Sequence, residues 1–322
     1  MKSFIVSTLD DNQRLNRFLE KVVPGLYPSM MYKYLRNKSI KVNGKRTSAD
    51  TRLKKGDEVT LYISDDFFEK KNDKSNFMQS STDISVIYED KNIAIMNKPV
   101  GLVAHSDFSN DTDTLVNRFL HHLVIKKEYN PSTISSFTPA LCNRLDRDTS
   151  GLIIGAKKPS SLKEMNLMIK QYDVKKYYLT VTTSKSPKDG TYVAYHQNAE
   201  NNQVKVSFNS TEKTKEIITN IRTIYENNGL YVVEVELVTG RKHQIRAHLA
   251  LLGCPILGDP IYGDKEKNRA YNLKKQILTS YKLSFVLSKN IKDYPTLSYL
   301  DGKTFDINNS ISNLCTFVNK KG

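Results

Sequence analysis

The chain has 322 residues, 39% of them apolar and 9% aromatic, enough to bury a large core and of a size for about two domains. It carries 49 Lys and Arg against 34 Asp and Glu, a net charge of +15, which favours a polyanionic partner because basic side chains displace condensed counterions from phosphate backbones. No apolar run approaches the roughly 20 residues that span a bilayer. The start, MKSFIVSTLDDNQ, turns polar too soon for a signal peptide, and three cysteines without paired spacing speak against a disulfide framework. A cytoplasmic protein with no membrane partner is expected.

The basic excess is concentrated early, with 13 Lys and Arg against 6 Asp and Glu in residues 1–64. Leu15, Phe18, Leu19 and Val22 recur on one helical face, and Pro24-Gly25 ends that helix. Ser29 is the expected N-cap of a second helix whose exposed face carries Lys33, Arg36 and Lys38. Ile40 and Val42 alternate with polar residues ahead of Asn43-Gly44, a tight-turn signal, and Val59, Leu61 and Ile63 form a closing strand. The order of two basic-faced helices and a small sheet, with IKVNGKR and LKKGDEV, resembles the S-four-like RNA-binding domain. That resemblance covers about residues 12–64 and implies RNA contacts at Lys33, Arg36, Lys38, Lys45 and Arg46.

Residues 65–82 lose periodicity and have linker composition, with Phe67, Phe68 and Phe77 available to dock on a neighbouring surface. From residue 83 to 322 a second domain is expected. ISVIYEDKNIAIMNKP holds two strands about a turn at Asp90–Asn92, GLIIGAKK is a buried strand, and SSLKEMNLMIKQ is an amphipathic helix. KYYLTVT is a further strand, and residues 216–240 form a long hairpin with Asn227-Asn228-Gly229 at its tip. KHQIRAHLALLG is a helix ended by Gly253. The whole reads as α+β, a mixed, mainly antiparallel sheet with flanking helices, preceded by a small α+β module.

CNRLDRDTSG, residues 142–151, raises the chemical question. Asp146 lies between Arg144 and Arg147, which favour its ionised form, at the mouth of an apolar strand with Gly151 granting backbone freedom. Taken alone, RLDRD is a salt-bridged surface turn. NKPVGLVAHS and TGRKHQIRAHLALLGCPILGDPIYG change the balance, because basic loops around one acid describe a phosphate-lined cleft. Lys98, Lys157, Lys158 and Lys242 are expected on phosphates and His105 on RNA backbone. Asp148 is expected to cap the Thr149-Ser150-Gly151 turn, Asp259 reads as turn chemistry ahead of Pro260, and Tyr262 as cleft wall or core. His243 and His248 fall on different helical faces and no metal-ligand spacing is present, so no metal is expected.

In this order, NKPVGLVAHS, NRLDRDTSGLIIGAKK, KKYYL and TGRKHQIRAHLALLGCPILGDPIYG resemble the pseudouridine synthases of the RluA type over residues 83–310. With the basic module in front, the architecture is similar to the branch that modifies large-subunit ribosomal RNA. The resemblance implies a catalytic aspartate at Asp146, an active-site tyrosine at Tyr178 with Tyr177 as the alternative register, and an acid-pairing arginine at Arg246. It places Arg144 in the space left by an extruded base, Ile245 under that base, and Lys176, Arg241 and His243 with Lys98 and His105 around the substrate. One departure is Asn143, where the family often has histidine. The implied enzyme isomerises uridine to pseudouridine in RNA, as a monomer without cofactor. Its rivals are a transfer RNA substrate, and a non-catalytic ribosome-assembly protein that keeps the fold.

Overall fold

The structure is a computed structural model that describes residues 1–23, 25–68, 76–106, 112–131, 137–185, 187–199, 203–287 and 291–321. The chain forms two compact units, one of residues 1–82 with 117–139 and the other of residues 83–116 with 140–322.

The first unit contains β1 (Lys2–Ile5), α1 (Leu15–Val22), α2 (Pro28–Arg36), β2 (Ile40–Val42), β3 (Lys45–Arg46) and β4 (Glu58–Leu61). Its sheet runs β1-β4-β2-β3 and is antiparallel throughout. The apolar face of α1 is buried as its spacing predicts, Leu15, Phe18 and Leu19 packing with Met31 and Leu35 of α2 over Ile40, Val59 and Leu61. Asn43 and Gly44 both have positive φ, 50 and 71, the geometry of a tight hairpin turn. The start of α2 differs from expectation. Pro28 opens the helix behind an extended Tyr27, and Ser29 lies inside it. Proline's fixed φ and missing N–H suit a first turn, whose donors are unpaired anyway. Of the segment read as a linker, Phe67 and Phe68 pack against this core, Phe77 is buried, and residues 69–75 lie outside the described residues, as does Pro24.

The second unit holds β5 (Ser85–Glu89), β6 (Ile93–Lys98), β7 (Ala140–Leu141), β8 (Ser150–Ala156), α4 (Pro159–Lys170) and β9 (Val174–Thr183). The helix α3 (Leu115–Ile125) comes before β7 and belongs to the first unit from Asn117 onward. Next come β10 (Gly190–Asn198), β11 (Val204–Ser207), β12 (Lys215–Asn227), β13 (Leu230–Leu237), α5 (Gln244–Leu251), α6 (Lys265–Ala270), β14 (Leu278–Phe285), β15 (Thr304–Asp306) and α7 (Ser310–Lys321). The sheet order is β11-β10-β12-β13-β9-β14-β8-β6-β5, with β15 beside β14 and β7 beside β8. Among the described residues every pairing is antiparallel except β14 with β8. Met165 and Met168 of α4 pack over Ile95, Leu152 and Ile154 as one core. Val318 of α7 packs over Val181, Leu230 and Val232 as another. β14, α7 and the β10–β11 pair have no counterpart in the sequence-based reading.

That parallel pairing positions the site. Ser280 of β14 is in register with Gly151 of β8 on one side and Tyr178 of β9 on the other. Gly151 near the head of β8, five residues after Asp146, is thereby carried to the level of Tyr178. Gly151 permits this approach, with φ at 113 and a Cβ position only 2.1 Å from the carbonyl oxygen of Ser280. Gly151→Ala is expected to cost about 3 kcal/mol or more, strain and backbone collision together, read as a lowered urea midpoint.

Candidate active site

The turn that presents Asp146 is tied down on both flanks. Asn143 Oδ1 accepts from Ile154 N at 2.8 Å, the Cys142 amide donates to Ile154 O at 2.7 Å, and the Thr149 amide closes the turn on Asp146 O at 3.1 Å. Asn143 thus serves the backbone of β8. On the far side Lys98 is fully buried. Its Nζ donates to the carbonyls of Leu102 at 2.7 Å, Arg147 at 2.9 Å and Pro99 at 3.0 Å. Gly101 N adds a bond to Arg147 O at 3.0 Å. Burial pulls the Lys98 ammonium down to about 8.

Lys98 therefore corrects the expectation of a phosphate contact. An ammonium enclosed by three carbonyls staples the 99–102 loop to the carboxylate turn. Lys98→Met is expected to lower kcat roughly 100-fold through a slackened Asp146, with the salt dependence of RNA binding unchanged; a shallower salt slope would restore the phosphate reading. The folded chain releases this proton near pH 8 and the unfolded chain near 10.5. In that window the unfolded state binds more protons, so wild type gains stability over Lys98→Met as pH rises.

The acid's partner is a distant arginine. Arg246, on α5, donates from Nη1 to Asp146 Oδ2 at 2.9 Å, across 100 residues of chain. Its remaining fork is bidentate to Asp259, Nε to Oδ2 at 2.7 Å and Nη2 to Oδ1 at 3.0 Å. Asp259 Oδ1 also accepts the backbone amides of Ile261 at 2.8 Å and Tyr262 at 3.0 Å. Burial pushes the Asp259 carboxyl up, but the Arg246 fork and these amides outweigh it and hold it below the ordinary value. A planar fork gripped by one buried carboxylate aims its last N–H at the other. The neighbours Arg144 and Arg147, offered by the sequence as its partners, are both exposed.

The start of α5 is set by Gln244, whose Oε1 accepts from Thr239 Oγ1 at 2.9 Å and Arg241 N at 3.1 Å. Its Nε2 donates to Ile218 O and Thr219 Oγ1, each at 3.1 Å. Just before it His243 adopts φ 51, which places Nε2 3.7 Å from Asp146 Oδ2 and Nδ1 3.0 Å from the Tyr262 hydroxyl. That hydroxyl also accepts from Val204 N at 3.0 Å; when it donates its own proton to Nδ1, the imidazole carries N–H on Nε2, toward Asp146. The Tyr262 ring is edge-on to His243 and 5.4 Å from the Arg246 guanidinium carbon. Oδ2 of Asp146 is thus occupied, whereas Oδ1 has no hydrogen bond among the described residues.

Asp146 opens into a cleft of about 720 Å³ and is the only carboxylate lining it among the described residues. Arg144, Lys170, Lys176, Lys213, Lys215 and Arg241 stand along the same cleft. Tyr178 lines it too; Tyr177 lies on the opposite face of β9, with Lys282 Nζ 4.1 Å from its ring centroid. Burial raises the Tyr178 hydroxyl well above its ordinary value, reinforced by the charge of Asp146, so the phenol is protonated at neutral pH.

The structure brings together Asp146, Tyr178, Arg246, Arg144, Ile245, Lys176, Arg241 and His243 on one cleft. It leaves out Lys98, for the reason above, and His105, which is exposed but does not line the cleft. Lys157 is a second correction, ion-paired with Glu89 at 2.6 Å in a nearly buried pair. Asp148 is a third, since it faces Lys275 Nζ at 3.5 Å instead of capping the turn. Lys33, Arg36, Lys38, Lys45 and Arg46 are exposed on the first unit. Sequence reasoning missed Asp259 and Tyr262 as partners of Arg246 and His243. A carboxylate between Gly258 and Pro260 is the available signal, but along the chain it has the composition of a turn and nothing more. Lys213, Lys215 and His196 carried no signal, because sheet order alone brings them to the cleft.

Comparison with known proteins finds relatives by sequence and by fold. A sequence profile described as RNA pseudouridylate synthase matches residues 92–251, a span that contains Asp146, Tyr178 and Arg246. An RNA pseudouridine synthase of Mycoplasma capricolum is 36% identical over 299 residues, 91% of this chain and 95% of that one. The ribosomal large subunit pseudouridine synthase D of Borreliella burgdorferi is 31% identical over 277 residues, 82% of this chain and 81% of that one. Among solved structures, human RNA Pseudouridylate Synthase Domain Containing 4 matches in fold with a TM-score of 0.56 at 18% identity, over 74% of this chain and 92% of that one.

Proposed function

This chain belongs to the RNA pseudouridine synthase family, and we propose that Asp146 carries its isomerisation of uridine, with large-subunit ribosomal RNA as substrate. The observation that carries the reading is the Arg246 fork, which holds Oδ2 of Asp146 and leaves Oδ1 without a hydrogen bond among the described residues, in a cleft whose other lining charges are cationic.

The reaction breaks the bond from C1′ of ribose to N1 of uracil and forms one from C1′ to C5, while C5 loses a proton and N1 gains one. Atoms and electrons are conserved, so no redox cofactor is called for. Oδ1 of Asp146 meets the reacting nucleoside, as carboxylates meet electron-poor anomeric centres in glycosidases. Arg246 and His243 keep that carboxylate aimed. Tyr178, protonated at rest, presents its ring to the uracil and its O–H as a donor. It takes the C5 proton only after its own has gone to N1, the atom that gains one overall. Arg144, exposed and lining the cleft, fills the place of the extruded base, and Ile245 packs beneath it. Extrusion itself costs a few kcal/mol, which phosphate contacts along the basic cleft offset.

Two relatives named as large-subunit synthases, from Borreliella burgdorferi and Rickettsia conorii, favour ribosomal over transfer RNA. The assembled Asp146–Arg246–Asp259 clamp speaks against a non-catalytic protein. Carbodiimide mapping of RNA from cells lacking this chain is expected to show missing pseudouridines in large-subunit RNA. Loss confined to transfer RNA would select the rival substrate, and no loss anywhere would remove the enzymatic reading in vivo.

The first unit is read as an S-four-like RNA contact that raises the effective concentration of the second on its substrate. No ion pair among the described residues engages Lys33, Arg36, Lys38, Lys45 or Arg46. Replacing these five with alanine is expected to weaken RNA binding and to flatten its salt dependence. The log–log slope should fall by about 0.7 to 0.9 for each phosphate that these side chains neutralise. Isomerisation of already bound RNA should be unaffected, and an unchanged slope would sink the assignment. Among the described residues no helix is long and apolar enough to cross a membrane, and the expected working place is the cytoplasm.

A further inference from the structure

One wall of the cleft carries chemistry that the isomerisation leaves unused. α4 ends at Lys170, and the chain enters β9 through Gln171 and Tyr172. Tyr172 has φ 62, the left-handed conformation that glycine ordinarily supplies just past a helix end. A tyrosine there is strained by its Cβ, yet the residue is 49% exposed and lines the cleft. Among the described residues no hydrogen bond, ion pair or ring contact engages its side chain.

Four residues on, Lys176 lines the same cleft. It is only 8% exposed, and its ammonium has no hydrogen-bond or ion-pair partner among the described residues. Its Nζ sits beside Gly240, 3.7 Å from where a Cβ on that residue would stand. Burial lowers its pKa, and no carboxylate bears on it to compensate. An enclosed ammonium without an acceptor is costly until an anion completes it.

We propose that Tyr172 and Lys176 form a subsite for the nucleotide next to the target uridine, with its base stacked on the Tyr172 ring and its phosphate held by Lys176. Swinging the target out of its strand leaves a neighbouring base without its stacking partner. An aromatic face paired with a cation is how proteins hold such splayed single-stranded nucleotides. The strained backbone then has a reason, since the residue is retained for its ring. This inference rests on the reading of the chain as an RNA pseudouridine synthase and adds a second recognition point to it.

The test uses the full chain and an unmodified transcript of an RNA segment in which wild type forms pseudouridine. Tyr172→Ala is expected to lower kcat/KM about 5- to 150-fold, with Tyr172→Phe near wild type. Tyr172→Gly should lose the same RNA affinity while its Tm rises by about 1–4 °C, because glycine relieves the left-handed strain. Lys176→Met should reduce the salt slope by about 0.7. At one position adjacent to the target, an abasic nucleotide should cost wild type what Tyr172→Ala costs, and cost that variant nothing further. A methylphosphonate at the same nucleotide should be silent in Lys176→Met. Losses that simply add at every position overturn the subsite, as does Tyr172→Gly losing stability and activity together. If wild type isomerises no RNA, the parent reading fails by itself. Photo-cross-linking of an oligouridylate carrying 5-iodouridine then decides the subsite, an adduct on Tyr172 supporting it and adducts only elsewhere refuting it.

Discussion

Asp146→Asn is expected to abolish pseudouridine formation, with a fall of at least about 10⁴-fold in the single-turnover rate, while RNA binding stays within a few fold. The amide is isosteric and its oxygen still accepts from Arg246 Nη1, so the clamp survives. What disappears is the anionic oxygen at the Oδ1 position, the one with no other hydrogen bond among the described residues. Binding is spared because the cations lining the cleft outnumber its carboxylates, one among the described residues, and removing that negative charge does not weaken attraction to phosphates. Asp146→Glu makes the complementary point. It keeps the charge but moves the oxygen by about one bond, and a displacement near 1 Å costs roughly 100-fold. Residual activity of Asp146→Asn within tenfold of wild type would exclude the proposed nucleophile. Quench-flow on labelled RNA, with a filter-binding titration beside it, separates the rate from the affinity.

Arg246→Ala is expected to damage both fold and chemistry. Asp259 is completely buried and receives two of the three guanidinium bonds. Without the fork it keeps its two backbone amides and an uncompensated charge. Breaking a buried pair from one side costs about 3–5 kcal/mol, which corresponds to a Tm lowered by roughly 10 °C. Arg246→Lys retains a charge but not the planar fork, so activity should fall much further than stability. The two losses separate in a double variant. Adding Asp259→Asn to Arg246→Ala removes the stranded carboxylate and should recover much of the stability, because contacting residues are not additive. Activity should stay lost, since Asp146 has then lost the guanidinium that fixes its Oδ2. Urea unfolding and single-turnover rates on the three variants check this. If Arg246→Ala unfolds no more easily than wild type, the clamp does not carry the load assigned to it.

What sequence by itself determined here is local. The spacing of Leu15, Phe18 and Leu19 marked a helix, and Asn43-Gly44 marked a hairpin, because helical period and positive-φ turns are short-range consequences of residue type. Arg144–Gly151 feeding Leu152, Ile153 and Ile154 showed a carboxylate turn at the head of a buried strand for the same reason. The order of the motifs also carried the family, and with it Asp146, Tyr178 and Arg246.

The tertiary structure alone decided which groups meet. Tyr178 rather than Tyr177 faces the cleft because β9 takes one register between β13 and β14, and in a strand one residue's slip reverses every side chain. Lys98 became a staple because a carbonyl cage formed around it, and exposure is not written in a lysine's identity. Asp146 exchanged its neighbouring arginines for Arg246, and Asp259 became the anchor of that guanidinium, because fork geometry and burial choose partners through space. Such choices depend on which strands pair, and no window along the chain contains that information.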